Sequence, residues 1–294
     1  MITQPVNWQN PYSIRGGFRL KGNLHTHTSI SACGKVPPDE VFRQYRKAGY
    51  DFLSITDHNT VTEMNAREKR PLLFPGIEID FKGSRHTCVV ERPGRGIYYN
   101  SKARQQDIIS RNARIGNIVV LNHPDWQLKE HYPLLLLLSL KGYTGIEIYN
   151  SVIERLQGFA LSTAKWDRLL EKGKRVLGFA NQDYHWKTDI SECCNVVWAP
   201  EKTPQAIFSA LKSGCFYCHY GVDITDISRI KDTVHVSTRN GRVIRFVGGG
   251  GRIYRKVKAR SASFSFKECP NSQYLRLECL GIGEEMSWSQ PFFR

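Results

Sequence analysis

In Gly22-Asn23-Leu24-His25-Thr26-His27, a short apolar segment runs directly into two histidines. On a β-strand, residues two positions apart point to the same side, so His25 and His27 can bind one ion together. The same transition recurs along the chain: Leu53 to Thr56 run into Asp57, Ile77 into Glu78, Val119 to Leu121 into His123, and Val176 to Ala180 into Asp183. Because sites in barrels and open α/β sheets form at the carboxyl ends of strands, these residues are predicted to share one site.

Helix-like segments separate the strand candidates. Pro37-Pro38-Asp39 precedes apolar residues at helical spacing, and Gly49 ends that run. Thr203-Pro204 opens a second helix, with proline at the favoured first position, and this helix ends near Gly214. The alternation of strands and helices indicates an α/β protein organised around parallel strands.

The pattern changes after about Gly221. From there the sequence has β-type segments separated by turns and no good helix, and these segments are residues 242–247, 261–266 and 274–280. We therefore predict a barrel domain over residues 1–221 and a small C-terminal β-sheet module over residues 222–294.

Composition narrows the class of protein. With 294 residues, of which 40% are hydrophobic, the chain can bury a large core, and this excludes a disordered protein. The first residues lack the charged start and apolar core of a secretory signal, and the longest aliphatic run, Leu134 to Leu138, is too short to cross a bilayer. We expect a cytoplasmic protein without membrane contact, whose eight cysteines are free thiols.

The charge balance is strongly basic. A formal net charge of +15 favours an anionic partner, such as a small phosphorylated substrate or a nucleotide. Between Arg229 and Arg260 ten residues are Lys or Arg, whereas one, Asp232, is acidic. This segment fits nucleic-acid binding, and it fits equally the protection of exposed strand edges by basic side chains.

Further metal-ligand residues extend the first histidine pair. They are Asp57, His58, Glu78, His86, His123, Asp183 and His185, and together with the first pair they include six of the nine histidines. Converging carboxylates and histidines need a counter-charge, which indicates two or more divalent metals bridged by a carboxylate such as Glu78. Mixed nitrogen and oxygen ligands suit Mn, Zn or Fe. His131, His219 and His235 lie outside the pattern and are predicted to be surface or packing residues.

The order of these motifs resembles that of the polymerase and histidinol phosphatase (PHP) superfamily of metal-dependent phosphoesterases. The matching residues are His25-Thr26-His27, Ile55-Thr56-Asp57-His58, Gly76-Ile77-Glu78 with His86, Asn122-His123-Pro124, and Asp183-Tyr184-His185. The resemblance covers roughly residues 20 to 220. It implies a distorted (β/α)7-type PHP barrel, with fewer strands than the standard eight, followed by the small C-terminal β-sheet module.

The resemblance also implies roles for the candidate residues. One metal would be held by His25, His27, Glu78 and Asp183, and a second by Glu78, His86 and His123. His58 and His185 match the ligands of a third metal, but the acidic residue that usually completes that site is absent between Ser29 and Gly34. His58 and His185 are otherwise candidates for phosphate contact or proton transfer, and Asp57 for an orienting partner in catalysis.

Three functions follow as hypotheses. The leading one is a phosphoesterase that hydrolyses a phosphate mono- or diester through a metal-bridging hydroxide, with His185 or His58 protonating the leaving oxygen. The second hypothesis is a hydrolase of a carboxylic ester, amide or carbamate. It rests on the tail, which resembles the carbaryl-hydrolase-like (CehA/McbA) branch in Tyr274 to Glu278 and Trp288 to Phe293. The third hypothesis is a non-catalytic, metal-stabilised module that binds nucleic acid through Arg239 to Arg260.

Overall fold

A computed structural model describes residues 6–13, 17–64, 70–81, 85–127 and 131–294. Within these residues the chain forms seventeen strands and five α-helices. The strands are β1 (Phe18–Asn23), β2 (Phe52–Ile55), β3 (Leu72–Phe81), β4 (Arg85–Val90), β5 (Ile118–Leu121), β6 (Gly145–Asn150), β7 (Leu177–Asn181), β8 (Cys194–Ala199), β9 (Phe216–His219), β10 (Ile224–Ile230), β11 (Thr233–Thr238), β12 (Val243–Gly248), β13 (Arg252–Val257), β14 (Ser261–Ser265), β15 (Tyr274–Leu280), β16 (Met286–Ser289) and β17 (Phe292–Phe293). The helices are α1 (Pro38–Lys47), α2 (Gln105–Ile115), α3 (Leu134–Ser139), α4 (Thr163–Glu171) and α5 (Pro204–Ser213).

Strands β1 to β7 close into a barrel. Strands β1, β2 and β3 pair in parallel, β4 pairs antiparallel with both β3 and β5, and β5, β6 and β7 pair in parallel again. Just beyond β1 and β7, Thr26 forms a parallel bridge with Tyr184, and the backbone nitrogen of His27 donates to the carbonyl oxygen of Tyr184 over 2.8 Å. The predicted α/β class and the distorted (β/α)7-type barrel are confirmed, and the reversed strand β4 is one source of the distortion.

The reversal of β4 changes the position of one predicted strand end. A strand was predicted to end at Glu78, but β3 continues to Phe81. It continues because it pairs with β4, and in this pairing Glu78 lies opposite Cys88. Three residues separate β3 from β4, and so short a connection can join only antiparallel neighbours. His86, near the beginning of β4, thereby reaches the same end of the barrel as the residues that follow the parallel strands.

The predicted helices α1 and α5 are present. Helix α1 buries Val41, Phe42 and Tyr45, as its apolar spacing indicated. At the start of α5, the side chain of Thr203 accepts a hydrogen bond from the backbone nitrogen of Ala206 over 3.3 Å. No helix of the described ranges is both long enough and apolar enough to cross a membrane.

The barrel sheet continues into the C-terminal region. Strand β8 pairs antiparallel with β1, β9 with β8, and β16 with β9, and the sheet extends through β15 and β12 to β13. Strands β10, β11 and β14 form a separate three-stranded antiparallel sheet. Hydrogen bonds therefore cross residue 221, and the division into residues 1–221 and 222–294 stays a prediction.

A buried ion-pair network fastens β15 to helix α4. The guanidinium of Arg276, whose residue is 1% exposed, donates to both carboxylate oxygens of Asp167 over 2.7 Å and to Glu278 over 2.9 Å. The hydroxyl of Tyr274 donates to the same Asp167 carboxylate over 2.8 Å. Because a buried charge is costly without its partner, this network makes the C-terminal strands dependent on α4.

Candidate metal centre

The side chain of Glu78 is the middle of a cluster of predicted ligands at one end of the barrel. Its Oε1 lies 3.1 Å from His25 Nε2, 3.3 Å from His86 Nδ1 and 3.5 Å from His123 Nε2. Its Oε2 lies 3.1 Å from His27 Nε2 and 3.4 Å from His58 Nδ1. One buried carboxylate is thus surrounded by five imidazoles that come from four different strand ends.

Asp183, which follows β7, supplies the second carboxylate. Its Oδ1 lies 3.1 Å from His25 Nε2 and 3.3 Å from His27 Nε2, and its Oδ2 lies 3.9 Å from His123 Nε2. The Nδ1 of His185 is 3.7 Å from Oδ1 of Asp183. The structure therefore brings all eight predicted metal ligands into one cluster, while their role as ligands stays a prediction.

The surroundings of His25 test whether this cluster fits a cation. Its Nδ1 lies 2.8 Å from Oε1 of the buried Glu147 and donates to it, so the neutral ring presents a lone pair at Nε2. That lone pair faces Glu78 and Asp183 oxygens at 3.1 Å and His27 Nε2 at 3.2 Å, an arrangement that repels unless a positive charge lies among the atoms. Metal–ligand bonds of about 2.0–2.2 Å place neighbouring ligand atoms about 2.8–3.6 Å apart, from octahedral to tetrahedral geometry, so both donor types and spacings fit a divalent metal.

Two of the candidate ligands have unusual backbone conformations. His123 has a φ of 30° and Asp183 a φ of 55°, in a region that non-glycine residues rarely adopt. Each residue lies two positions after the end of a barrel strand, where the chain turns away while the side chain stays directed at the cluster. Such strain concentrates at functional sites and costs about 1–3 kcal/mol per residue.

The charges of the cluster shift the pKa values of its members in opposite directions. Burial alone would raise the pKa of Glu78 and Asp183, but neighbouring histidines, His25 above all, hold both well below their ordinary values. Burial alone would lower the pKa of His25, but the carboxylates of Asp183, Glu78 and Glu147 raise it well above its usual range. In the metal-free protein, protons on the histidines with raised pKa values, His25 and His27 above all, favour the ionised form of the carboxylates.

Raising the pH is expected to destabilise the metal-free protein. Histidines with a raised folded-state pKa contribute stability that is complete below the unfolded-state pKa of about 6.5 and is lost as the pH rises through the folded-state value. The carboxylates, whose folded-state pKa values are lowered, contribute stability that is lost only as the pH falls below their own unfolded-state pKa. The melting temperature of the chelator-treated protein should thus fall as the pH increases above about 6.5, and saturating metal should reduce that fall. Parallel slopes with and without metal would contradict this expectation.

Glu147 is a site residue that the sequence analysis missed. It is buried in β6, where it accepts from His25 Nδ1 over 2.8 Å and from the backbone nitrogen of His123 over 2.8 Å. The side-chain amides of Asn150 and Asn181 each donate to it over 2.9 Å. The tetrapeptide Gly145-Ile146-Glu147-Ile148 repeats Gly76-Ile77-Glu78-Ile79, and this repeat was the signal that could have identified it.

Replacing Glu147 with Gln is expected to weaken metal binding about 10- to 100-fold, the scale for partners that orient a ligating histidine. The amide can still accept from His25 but no longer supplies the charge that fixes its tautomer. Competition with a chromophoric chelator measures the affinity. Glu154→Gln, a change at a carboxylate that hydrogen-bonds Tyr149 instead, is the matched control. Equal affinities for the two variants would remove Glu147 from the site.

Asp57, predicted as a catalytic partner, binds the loop that follows β1. Its carboxylate accepts from the backbone nitrogen and hydroxyl of Thr28 and from the hydroxyl of Ser31, each over 2.7 Å, and also from Thr62. Burial opposes ionisation of Asp57, but these hydrogen bonds lower its pKa. The contacts are those of a residue that orients the loop, and a direct catalytic role stays a prediction.

His58 and His185 lie at the more open side of the cluster, beside Cys33. Their rings stack on the ring of His27 with centroid separations of 4.7 and 4.6 Å. Although burial opposes it, hydrogen bonds with His185, His27 and His58 lower the pKa of Cys33 to about 4. The stretch from Ser29 to Gly34 contains no acid, and its thiol was not predicted as a site residue.

His131, predicted as a surface or packing residue, packs on the cluster itself. Its ring centroid lies 5.0 Å from that of His123 and 5.6 Å from that of His86. Within the described part of the chain, neither of its ring nitrogens has a hydrogen-bond partner. Burial, followed by the neighbouring His123 and His86, lowers the pKa of His131 to about 2, so the ring remains neutral.

Several side chains of the basic segment make contacts within the chain. Arg239 pairs with Asp223 over 3.2 Å, Arg245 with Glu278 over 3.3 Å, and Arg255 with Glu268. Arg229 donates to the carbonyl oxygens of Gln9, Lys231 and Phe293. These contacts give part of the positive charge a structural role, and nucleic-acid binding by this segment stays a prediction.

Comparison with known proteins identifies the fold. No protein-family model and no curated protein matches the sequence. Among solved structures, the chain is similar to a protein from Bacteroides vulgatus described as a two-domain protein containing predicted PHP-like metal-dependent phosphoesterase, at 16% sequence identity and a TM-score of 0.53, over 99% of this chain and 91% of that one. PsfC from Pseudomonas syringae matches at 14% identity and a TM-score of 0.48, over 66% of this chain and 88% of that one.

The first of these likenesses extends over nearly the whole of both chains. At 16% identity it shows a shared fold, so the PHP resemblance drawn from the sequence motifs is confirmed at the level of the fold. The resemblance of the tail to the carbaryl-hydrolase-like branch stays a prediction.

Proposed function

We propose that this protein is a metal-dependent phosphoesterase that hydrolyses a phosphate mono- or diester. The observation that carries the proposal is the position of Glu78, whose two oxygens lie 3.1–3.5 Å from nitrogens of five histidines. A carboxylate so placed is suited to bridge two cations. The fold likeness to a protein described as containing predicted PHP-like metal-dependent phosphoesterase supports the proposal, as does the net charge of +15.

Two groups of residues would hold the cations. The first group is His25, His27, Glu78 and Asp183, and the second is Glu78, His86 and His123. When bound, divalent ions of Mn, Zn or Fe supply Lewis acidity that lowers the pKa of a coordinated water and neutralises charge on the phosphate oxygens.

The chain's own residues orient this chemistry. Glu147 keeps the proton of His25 on Nδ1, so that Nε2 faces the cluster. The side chains of His58 and His185 are 25% and 17% exposed, more than those of the buried histidines, so a substrate that arrives from solvent meets them first. From there they can either hold a further cation or, without one, contact the phosphate or donate a proton to the leaving oxygen.

The test is hydrolysis of four p-nitrophenyl substrates, a phosphate monoester, a phosphate diester, a carboxylic ester and a carbamate, by Mn-, Zn- and Fe-loaded protein. We expect turnover of a phosphate ester that is lost in Asp183→Asn. Asp107→Asn, at an exposed carboxylate paired with Arg104, is the matched control and should leave turnover unchanged.

The other outcomes distinguish the alternatives. Turnover of the carboxylic ester or the carbamate alone would overturn the proposal in favour of the carbaryl-hydrolase-like branch. No turnover of any of the four substrates, together with salt-sensitive binding of DNA or RNA, would favour a nucleic-acid-binding module.

A further inference from the structure

Cys33 differs from the other cysteines of the chain in its surroundings. The other seven are buried, and Cys33 alone of the eight is partly exposed. Its sulfur and ring nitrogens of His27 and His58 lie within 4.8 Å of one another, and its thiol also interacts with the side chain of His185. A thiol encircled by three imidazoles has the chemistry of a metal ligand set, whereas a packing cysteine is surrounded by apolar groups.

The backbone of the loop fixes the sulfur in this position. The nitrogen of Gly34 donates to the carbonyl of Ser31 over 3.1 Å, and the nitrogen of Lys35 donates to the carbonyl of His185 over 2.9 Å. A Cβ at Gly34 would lie 2.1 Å from the carbonyl oxygen of Thr28, so only glycine permits this close approach. The residue immediately before Gly34 is thereby held between the ends of β1 and β7.

The histidines beside Cys33 have nitrogens that are free to bind a cation. His185 Nδ1 lies 2.5 Å from the backbone carbonyl of Asp183 and donates to it, which leaves Nε2 as the unprotonated nitrogen of the neutral ring. His58 Nδ1 is buried and lies 3.4 Å from Glu78 Oε2, but it makes no hydrogen bond within the described residues. Both rings can therefore serve as metal ligands, and an anionic ligand would complete the cation site.

Among the described residues, no carboxylate is available to that position alone. Asp57 already accepts hydrogen bonds from Thr28, Ser31 and Thr62. Glu78 and Asp183 lie 3.4 Å from His58 Nδ1 and 3.7 Å from His185 Nδ1, but both also face the histidines of the two other cation positions. The loop between Ser29 and Gly34 contains no acid. Cys33 is the residue of that loop able to supply a negative charge.

We propose that Cys33 is a thiolate ligand which, with His58 and His185, binds a third divalent cation next to the pair centred on Glu78. The inference rests on the proposed function in that both require metal in this cluster. A thiolate favours zinc or cobalt over manganese or magnesium, so the third position differs in metal preference from the two that carboxylates bridge.

Cobalt provides the test, because a thiolate bound to Co²⁺ gives a charge-transfer absorption in the near ultraviolet that imidazole and carboxylate ligands do not give. The full-length protein is stripped with chelator, loaded with Co²⁺ and measured by absorption and by elemental analysis. We expect three cobalt ions per chain together with the thiolate band.

Three variants locate the sulfur. Cys33→Ser should lose the band and one cobalt ion, and Cys33→Asp should lose the band but keep all three ions because it restores an anionic ligand. Cys88→Ser is the control, since Cys88 is the other thiol close to ligand atoms, near His25 and Glu78, and it should keep the band. If Cys33→Ser does not fold, Cys33→Asp still reports the origin of the band.

The remaining outcomes would overturn the inference. A band that persists in both Cys33 variants, or that disappears only in Cys88→Ser, would assign the sulfur elsewhere. Two cobalt ions without a band would reject the third position while leaving the proposed function intact. Failure to bind any cobalt, manganese or zinc would reject the inference and the proposed function together.

Discussion

Glu78→Gln is expected to abolish hydrolysis and to lower the metal content of the purified protein. The substitution keeps the size of the side chain and removes the charge that faces five imidazoles. A neutral amide presents one oxygen in place of two, so it cannot bridge two cations and at least one cation position loses a ligand. We expect kcat to fall by at least about 10²–10³-fold, the scale for loss of one group that stabilises charge in a transition state.

The matched control for this substitution is Glu171→Gln, in helix α4, where the carboxylate pairs with Arg168 at the surface over 3.4 Å. It should leave metal content and kcat unchanged. Full metal content and activity in Glu78→Gln would reject the bridging role and, with it, the assignment of Glu78 as the middle of the site.

Asp167→Ala is expected to lower the free energy of unfolding by about 3–5 kcal/mol, the cost of removing one partner from a buried ion pair. Arg276 is 1% exposed and would lose both hydrogen bonds to this carboxylate, and Tyr274 would lose its acceptor. Glu278 remains as a partner of Arg276, which places the effect towards the lower end of the range.

Chemical denaturation at a fixed metal concentration measures this loss. Arg168→Ala serves as the control, because it removes a surface ion pair at the same helix, and such pairs contribute about 0–1 kcal/mol. A change below about 1 kcal/mol in Asp167→Ala would show that the C-terminal strands do not depend on this network.

The sequence predicted the barrel strands and the ligand cluster because both depend on local patterns. Apolar segments that end in His25, His123 or Asp183 place those side chains at one edge of the barrel, whichever strands become neighbours. Glu78 was found by the same rule even though β3 continues beyond it to Phe81. A prediction that treats every barrel strand as parallel cannot show that β4 runs in the opposite direction. Because β4 is reversed, His86 reaches the cluster from the beginning of its strand and not from the end.

Other features were missed because their pattern is not local. Glu147 lies inside an apolar segment. The repeated tetrapeptide marks it as similar to Glu78, but its contacts with His25 and His123 become visible only in the folded structure. Cys33 was overlooked because the expected ligand at that position was an acid. Strand β13 is mostly exposed on both faces, so it lacks the alternation of apolar and polar residues that identifies a half-buried strand.

Anomalous X-ray diffraction from crystals of manganese-loaded protein shows whether the Glu78 cluster is a divalent metal centre. We expect two strong peaks within metal–ligand distance, about 2.0–2.2 Å, of the Glu78 carboxylate and the neighbouring histidine nitrogens. Absence of any peak at Glu78 in protein that nevertheless hydrolyses phosphate esters would contradict this assignment.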